Sequence, residues 1–409
     1  MKVLVVGGGS GGHITPAVAV VRELLDLKPR TRVEFWTDKK YYKNVVKITT
    51  EIGVSWGEEA GRGRGKTPYV RVRRIFAGKF HRYAGWGLKD YVKEWQITLK
   101  DLVLGNILGF LGFVGGALQS FWRLLWPSKR PDVVFLKGGF VGLPVGLVAR
   151  WFRIPYIVHE SDMVPGLANR ILMKRAAVVA TGWGGMNGAK STVCVGIPVA
   201  PEFKAVSEVK QKTLKKVFGF DPERPLVVVT GGSQGSLHID EAMREILPEM
   251  LKFTSVGLVA GRKHYEMMVE LKKYEDWDKA KLKSNFRMWE FNSAMHELMG
   301  AADVVVSRAG ATTIAELAAL KKAVILVPFE QLPGGHQTKN AERLRDRNAV
   351  LMVEDREMQE KPEILLETVR HLVRAPKERR VMAEKLQAEA RPDAAKKLAE
   401  IILGVGDKK

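Results

Sequence analysis

Met1-Lys-Val-Leu-Val-Val6 runs straight into Gly7-Gly-Gly-Ser-Gly-Gly-His13, and residues 15–27 follow with apolar groups at helical spacing. A short β-branched apolar run predicts a buried strand. Five glycines and a serine break it, so the reading is strand, glycine loop, helix. In such a unit the bare backbone N–H groups at a helix N-terminus face a phosphate. A near-copy lies about two hundred residues on, where Leu226-Val-Val-Val-Thr230 leads into Gly231-Gly-Ser-Gln-Gly-Ser236 and a helical segment. Two such units predict two similar α/β domains of doubly wound, Rossmann-like type facing a cleft.

Length agrees with that division, because 409 residues exceed one ordinary core. Strands are predicted at 33–37, 133–136, 156–159, 178–181, 226–230, 256–259, 304–307 and 324–328, each beside a helical pattern, which argues for parallel sheets. Gly196-Ile-Pro-Val-Ala-Pro201 reads as the linker. The expected domains are 1–196, 197–385 and a C-terminal helix, 386–409, that returns to the first domain. The single cysteine, Cys194, allows no internal disulfide and fits a reducing compartment. Met1 already begins the first strand, so no secretory signal is expected, and without CxxC or HExxH no metal site is expected either.

The net charge of +21 is unevenly placed. Between Gly61 and Arg130 fourteen Lys and Arg face only Asp90, Glu94 and Asp101. Such a region attracts polyanions or an anionic membrane. Embedded in it, residues 102–122 carry no formal charge and five glycines. A helix of that length reaches roughly 30 Å, enough for hydrocarbon. An interfacial helix is favoured by the neighbouring Trp86, Trp95, Trp122 and Trp126 with Lys129 and Arg130. A buried helix and a true span stay open.

Each chemical motif has competing readings. Gly7, Gly9 and Gly12 satisfy G-x-G-x-x-G, and Glu34 mimics the ribose-binding acid of a nicotinamide enzyme. Ser10 and Ser233 each sit in G-x-S-x-G, like a hydrolase elbow. Backbone amides gripping a diphosphate explain both loops at once. His13, at the start of a helix, has its pKa depressed and stays neutral, as a general base needs; the plain alternative is a cap. Glu160 ends a strand where clefts of open sheets form. In the second half, Ser307-Arg-Ala-Gly-Ala-Thr-Thr-Ile-Ala-Glu316 offers the N–H groups of Ala311, Thr312 and Thr313 to phosphate and Glu316 to ribose hydroxyls. His336-Gln-Thr-Lys-Asn340 suits recognition of sugar hydroxyls.

Taken together, GGGSGGHITPAVAV (7–20), KGGFVGLPVGL (137–147), VHESDMVPGLANR (158–170), VGIPV (195–199), GGSQGS (231–236), SRAGATTIAE (307–316) and HQTKNA (336–341) resemble the MurG family of bacterial N-acetylglucosamine transferases. The resemblance implies a two-domain GT-B glycosyltransferase fold, inversion at the anomeric carbon, no cofactor and no obligatory active-site metal. It implies a UDP-GlcNAc donor held by the second domain and an undecaprenyl-linked lipid acceptor at the first, on the cytoplasmic face of the cell membrane. Carried over by position, His13 and Glu160 are the base candidates. Ser10, Gly11 and Gly12 lie near the diphosphates, with Asp162 and Asn169 on the acceptor side. Ser233, Gln234 and Gly235 contact the donor, Ala311, Thr312 and Thr313 its diphosphate, and Glu316 the ribose. His336, Gln337 and Asn340 approach the sugar ring.

Three positions depart from the family pattern: Ala200 replaces a linker arginine, for which Arg262 is a substitute, and Asp162 and Phe140 replace an asparagine and a tyrosine. The rival readings are a transferase for another glycolipid, a nicotinamide-dependent oxidoreductase, and a nucleic-acid binder. The last accounts for the charge but leaves both glycine loops without purpose, so no nucleic acid is expected. Protein partners are not indicated.

Overall fold

The computed structural model describes residues 1–51, 55–56, 70–80, 103–185, 191–232, 235–261, 264–266, 284–331 and 334–408. The chain forms two compact units. The first is Met1–Ala200 with Gln331–Gly334 and Arg391–Lys409, and the second is Pro201–Glu330 with Gly335–Ala390.

The first unit is built on eight strands: β1 (Lys2–Val6), β2 (Arg32–Thr37), β3 (Ser55–Trp56), β4 (Val70–Arg74), β5 (Val133–Leu136), β6 (Tyr156–Glu160), β7 (Val178–Thr181) and β8 (Thr192–Cys194). They lie in the order β3-β4-β2-β1-β5-β6-β7-β8, and every pairing is parallel. A parallel sheet needs cover on both faces, which is why β5 is apolar at all four positions and wholly buried. Val3, Val5, Val133 and Phe135 face helix Gly11–Leu27, while Leu4, Val6, Val134 and Leu136 face the other layer. Helix Ala394–Gly406 packs on helix Gly11–Leu27 and adds Leu398, Ala399 and Ile402 to that core, so the chain's end belongs to the first unit.

The second unit repeats the plan with β9 (Leu226–Thr230), β10 (Ser255–Val259), β11 (Phe286–Trp289), β12 (Val304–Ser307), β13 (Ala323–Leu326) and β14 (Leu351–Met352). Their order is β11-β10-β9-β12-β13-β14, again parallel throughout. In each sheet the strand order reverses beside the first strand, between β1 and β5 and between β9 and β12. Open α/β sheets bind ligands beyond the carboxyl ends of the strands at such a reversal. Both glycine loops leave their strands there.

Helix Gly105–Leu125 is the most unusual element. Gly109, Gly112 and Gly116 let the extended backbone of Phe76 to Lys79 lie directly on it; a Cβ at Gly116 would fall 2.1 Å from the Phe76 carbonyl oxygen. Gln119 fixes the contact, accepting from the Phe76 N–H and donating to the Arg74 carbonyl, both at 2.9 Å. Its other side leaves Leu108 68%, Phe110 56% and Trp122 63% exposed. An ordinary buried helix is thereby excluded, and by length and composition the helix is long and apolar enough to cross a membrane. Leu102, Trp86, Trp95 and much of the basic region lie outside the described residues.

Candidate active site

In the first unit the ends of β1, β5 and β6 bring together His13, Lys137, His159, Glu160, Ser161, Asp162 and Asn169. Ser10 is the N-cap of helix Gly11–Leu27, and Gly11, Gly12 and His13 form its first turn. The Ser10 backbone is ordinary extended chain (φ −155°, ψ 160°), so it lacks the strained turn of a nucleophile elbow. The Gly9 N–H does not stand open for phosphate: it donates to Asp38 Oδ2 at 2.6 Å. That corrects the view of the whole first loop as a bare cradle, because a carboxylate already takes one of its amides.

The half-buried His13 ring has its Nδ1 shielded from water and unpartnered. Burial, then the charge of Lys137, lower its pKa from 6.5 to about 3, with the Lys137 backbone opposing. The imidazole is therefore neutral in the resting protein. Glu160 has a different environment. Its buried carboxylate accepts from the Asp162 N–H at 3.0 Å, the Gly166 N–H at 3.0 Å and Asn169 Nδ2 at 2.8 Å. Burial and the Asp162 charge push its pKa up, and these three bonds push it back. Both oxygens are thus committed to organising residues 161–169. Asn169, also buried, further donates to the His159 carbonyl at 3.4 Å.

Glu34 is taken up within its own sheet, accepting from Trp36 Nε1 at 2.9 Å and pairing with Arg73 at 3.4 Å. The one residue that made the first loop resemble a nicotinamide site is not presented to a ribose.

In the second unit Ser236 caps helix Leu237–Met250, accepting from the Ile239 N–H, and also accepts from Arg308 Nε at 2.8 Å. Gly235, at φ +73°, has no room for a Cβ, which would sit 2.8 Å from the Ala260 carbonyl oxygen. Ser233, Gln234 and Arg262 lie outside the described residues. Arg308 is buried and reaches Asp355 Oδ1 at 2.5 Å, while His238 Nδ1 meets Asp355 Oδ2 at 2.7 Å. This buried ionic brace underlies both switch-point loops.

Helix Ala311–Ala319 follows β12 directly. Its N-cap, Gly310, brings no side chain to the N-terminal amides, and Ala311, Thr312 and Thr313 make its first turn. Glu316 lies one turn further; burial alone raises its pKa from 4.5 to about 8. Helix His336–Arg345 starts after Gly335 in a left-handed conformation. Gln337 Oε1 accepts from the Phe329 N–H at 3.0 Å, and the buried Asn340 donates to the Ala309 carbonyl at 3.2 Å. These two residues fasten the helix to the ends of β13 and β12, so Asn340 holds the loop before helix Ala311–Ala319 in place and is itself covered.

Sequence reasoning passed over Lys137, Ser161, Arg308 and Asp355. A lysine continuing an all-apolar strand, and an arginine opening a glycine turn after another, were the available signals for the first and third.

Comparison with known proteins gives the same two-part picture. Residues 87–181 match the glycosyltransferase family 28 N-terminal domain and residues 226–398 its C-terminal domain. A UDP-N-acetylglucosamine–N-acetylmuramyl-(pentapeptide) pyrophosphoryl-undecaprenol N-acetylglucosamine transferase of Listeria welshimeri is 30% identical over 407 residues, covering 99% of both chains. The protein of the same name from Listeria monocytogenes is 31% identical over 408 residues, with 99% of each covered. Among solved structures, MurG of Acinetobacter baumannii superposes with a TM-score of 0.66 at 22% identity, over 98% of this chain and 99% of that one. A kitacinnamycin glycosyltransferase gives 0.64 at 15% identity, over 99% and 98%. Those likenesses establish the GT-B fold. The full-length matches at 30% identity and above go further: the chain belongs to the MurG family of N-acetylglucosamine transferases, within glycosyltransferase family 28.

Proposed function

We propose that the protein moves N-acetylglucosamine from UDP-GlcNAc to the C4 hydroxyl of the muramyl sugar of undecaprenyl-pyrophosphoryl-MurNAc-pentapeptide, the lipid I to lipid II step of peptidoglycan synthesis. The observation that carries this reading is the match, from end to end, to enzymes named for that reaction. The chemistry asks for a neutral base on the acceptor side and a cradle for the leaving diphosphate, and we assign the first to the first unit and the second to the second.

His13 is the group we assign as base. It takes the proton of the C4 hydroxyl as the oxygen attacks the anomeric carbon and the bond to UDP breaks, inverting that centre. A proton acceptor must start neutral, as His13 does, and the negative charge of the bound diphosphates raises its pKa from about 3 toward the range a base needs. Glu160, whose oxygens hold their own loop, positions the acceptor side. On the donor side the first-turn amides of Ala311, Thr312 and Thr313 face the charge growing on the departing diphosphate. A helix N-terminus stabilises that charge without reorganising. Glu316 accepts the ribose hydroxyls, and His336 with Gln337 borders the sugar.

The acceptor is a lipid, so the enzyme works at a membrane surface, peripherally and on the cytoplasmic face. Support comes from the apolar side of helix Gly105–Leu125 and from Trp126 and Trp151, which are 57% and 78% exposed. Arg150, Arg153 and Arg175 line a cavity containing no acid. Exposed tryptophans beside arginines suit an anionic bilayer interface.

The test is single-turnover transfer with His13→Ala. The rate should drop by on the order of 10²–10⁴ with UDP-GlcNAc binding nearly unchanged. A loss confined to acceptor KM would make His13 a binding residue instead.

A further inference from the structure

Lys137 has no part in the chemistry assigned above, yet its place is costly. It follows β5 directly and continues the pairing, its N–H donating to the Val6 carbonyl at 3.0 Å. The alternation of the strand sends its side chain, like those of Val133 and Phe135, toward helix Gly11–Leu27. There the residue is only 1% exposed. An ammonium has three protons to donate, and among the described residues Nζ finds one hydrogen-bond acceptor, Ser161 Oγ at 2.5 Å. A buried, under-paired cation is a poor choice for packing alone, where Met or Leu fills the same space without the desolvation penalty.

The backbone after Lys137 explains what the cation is near. Gly138 (φ +107°) and Gly139 (φ +78°) turn the chain around the His13 imidazole. A Cβ at Gly138 would lie 3.5 Å from His13 Cε1, and one at Gly139 3.2 Å from His13 Nε2. We propose that Lys137 is a positioning residue for the transfer reaction: from the end of β5, whose two glycines frame the His13 ring, it ties the end of β6 through Ser161 and sets a positive charge on the His13 side of the sheet. This rests on His13 being the base.

Besides Lys137, at the end of β5, the charged and titratable groups around His13 come from two other elements. Asp38, after β2, accepts the Gly9 N–H. His159, on β6, is buried, bonded through Nε2 to the Gly196 carbonyl at 2.9 Å, and kept neutral by burial, by Lys137 and by His13 itself. Glu160 and Asp162, at the end of β6, act on the lysine, favouring its charge against burial, which brings its pKa down to about 8. Lys137 is the charge that acts most on the His13 titration, and it disfavours the imidazolium; the buried His159 ring is coupled to His13 as well. The sign is therefore fixed. Removing the cation raises the His13 pKa, and a base that must be neutral then loses activity on the acid side.

The full-length protein with Lys137→Met tests this. Ring-labelled histidine NMR follows His13, assigned by loss of its signal in His13→Gln, alongside the pH profile of kcat/KM with UDP-GlcNAc. The His13 pKa and the acid limb of kcat/KM should move up together by about one unit, a roughly tenfold loss below the limb, with activity level with wild type from neutral pH upward. An unmoved His13 titration with an equal loss at every pH would overturn the proposal and leave Lys137 a structural residue. Should Lys137→Met fail to fold, the wild-type protein gives the same answer. Its His13 signals should show a second inflection near the lysine's pKa of about 8, and a flat response there would contradict the coupling. If His13→Ala keeps full activity while the titration shifts, the assignment of the base fails and the coupling stands.

Discussion

Asn169 Nδ2 donates to Glu160 Oε2 at 2.8 Å, and this bond joins helix Leu167–Met173 to the end of β6. With the Asp162 and Gly166 amides it makes Glu160 the anchor of the intervening loop. Glu160→Ala should destabilise the first unit by about 3 kcal/mol, because buried donors lose a charged partner. It should raise acceptor KM at least tenfold while donor affinity holds. Thermal melts and acceptor titrations check this. Unchanged stability with a collapsed kcat would return Glu160 to the chemistry.

Glu316 predicts a pH dependence for the donor. Its carboxyl titrates near 8 in the free protein, raised by burial, and the ionised form accepts ribose hydroxyls better. KM for UDP-GlcNAc should therefore fall as pH rises from 6 to 8 and level off above that. Glu316→Ala should raise KM roughly tenfold or more at pH 8 and remove the dependence. A wild-type KM independent of pH would place the ribose elsewhere.

Asp240 makes the opposite kind of statement, about stability. It is fully buried in helix Leu237–Met250, with neither carboxylate oxygen hydrogen-bonded. Burial, partly offset by Arg308, raises its pKa from 3.8 to about 8. The folded state then holds a proton that the unfolded chain releases above about pH 4, so stability falls as pH rises toward 8. Asp240→Asn should leave Tm near wild type at pH 4 and gain on it progressively up to pH 8, by about 2–4 °C per kcal/mol for a unit of this size. Melts across that range decide it; a constant offset would mean that Asp240 does not titrate.

The membrane face is tested by Leu108→Ser with Phe110→Ser. Both residues point outward from helix Gly105–Leu125, so folding should survive. Liposome binding should weaken, as it should in wild type when salt rises or anionic lipid is withdrawn, with about 1 kcal/mol at stake per cation near the surface. Donor affinity should stay as it was. If binding ignores all three changes, this helix is not the contact.

Much of this architecture was legible because buried parallel strands announce themselves: β5, β9 and β12 are apolar runs, the last two closing in Thr230 and Ser307 and the first followed by Lys137 and two glycines. β4 was not, since Val70-Arg-Val-Arg-Arg74 buries Val70 and Val72 while its arginines read as surface charge. The placing of Ala311 and Glu316 in the first two turns of a helix followed from a strand running into a helix N-terminus. Roles that depend on burial did not. Nothing in the residue types separates His13, left with an unpartnered nitrogen, from Glu160, saturated by its own loop. Lys137 and Asp240 gain their meaning only from surroundings assembled out of distant segments.

The central claim is the transfer itself. The purified protein should be incubated with radiolabelled UDP-GlcNAc and undecaprenyl-pyrophosphoryl-MurNAc-pentapeptide, and the lipid product digested to locate the new bond. Labelled GlcNAc should appear linked β to the muramyl C4 oxygen, with stoichiometric release of UDP and loss of both with His13→Ala. No label in the lipid, or equal labelling of a glycolipid that lacks the muramyl sugar, would contradict it.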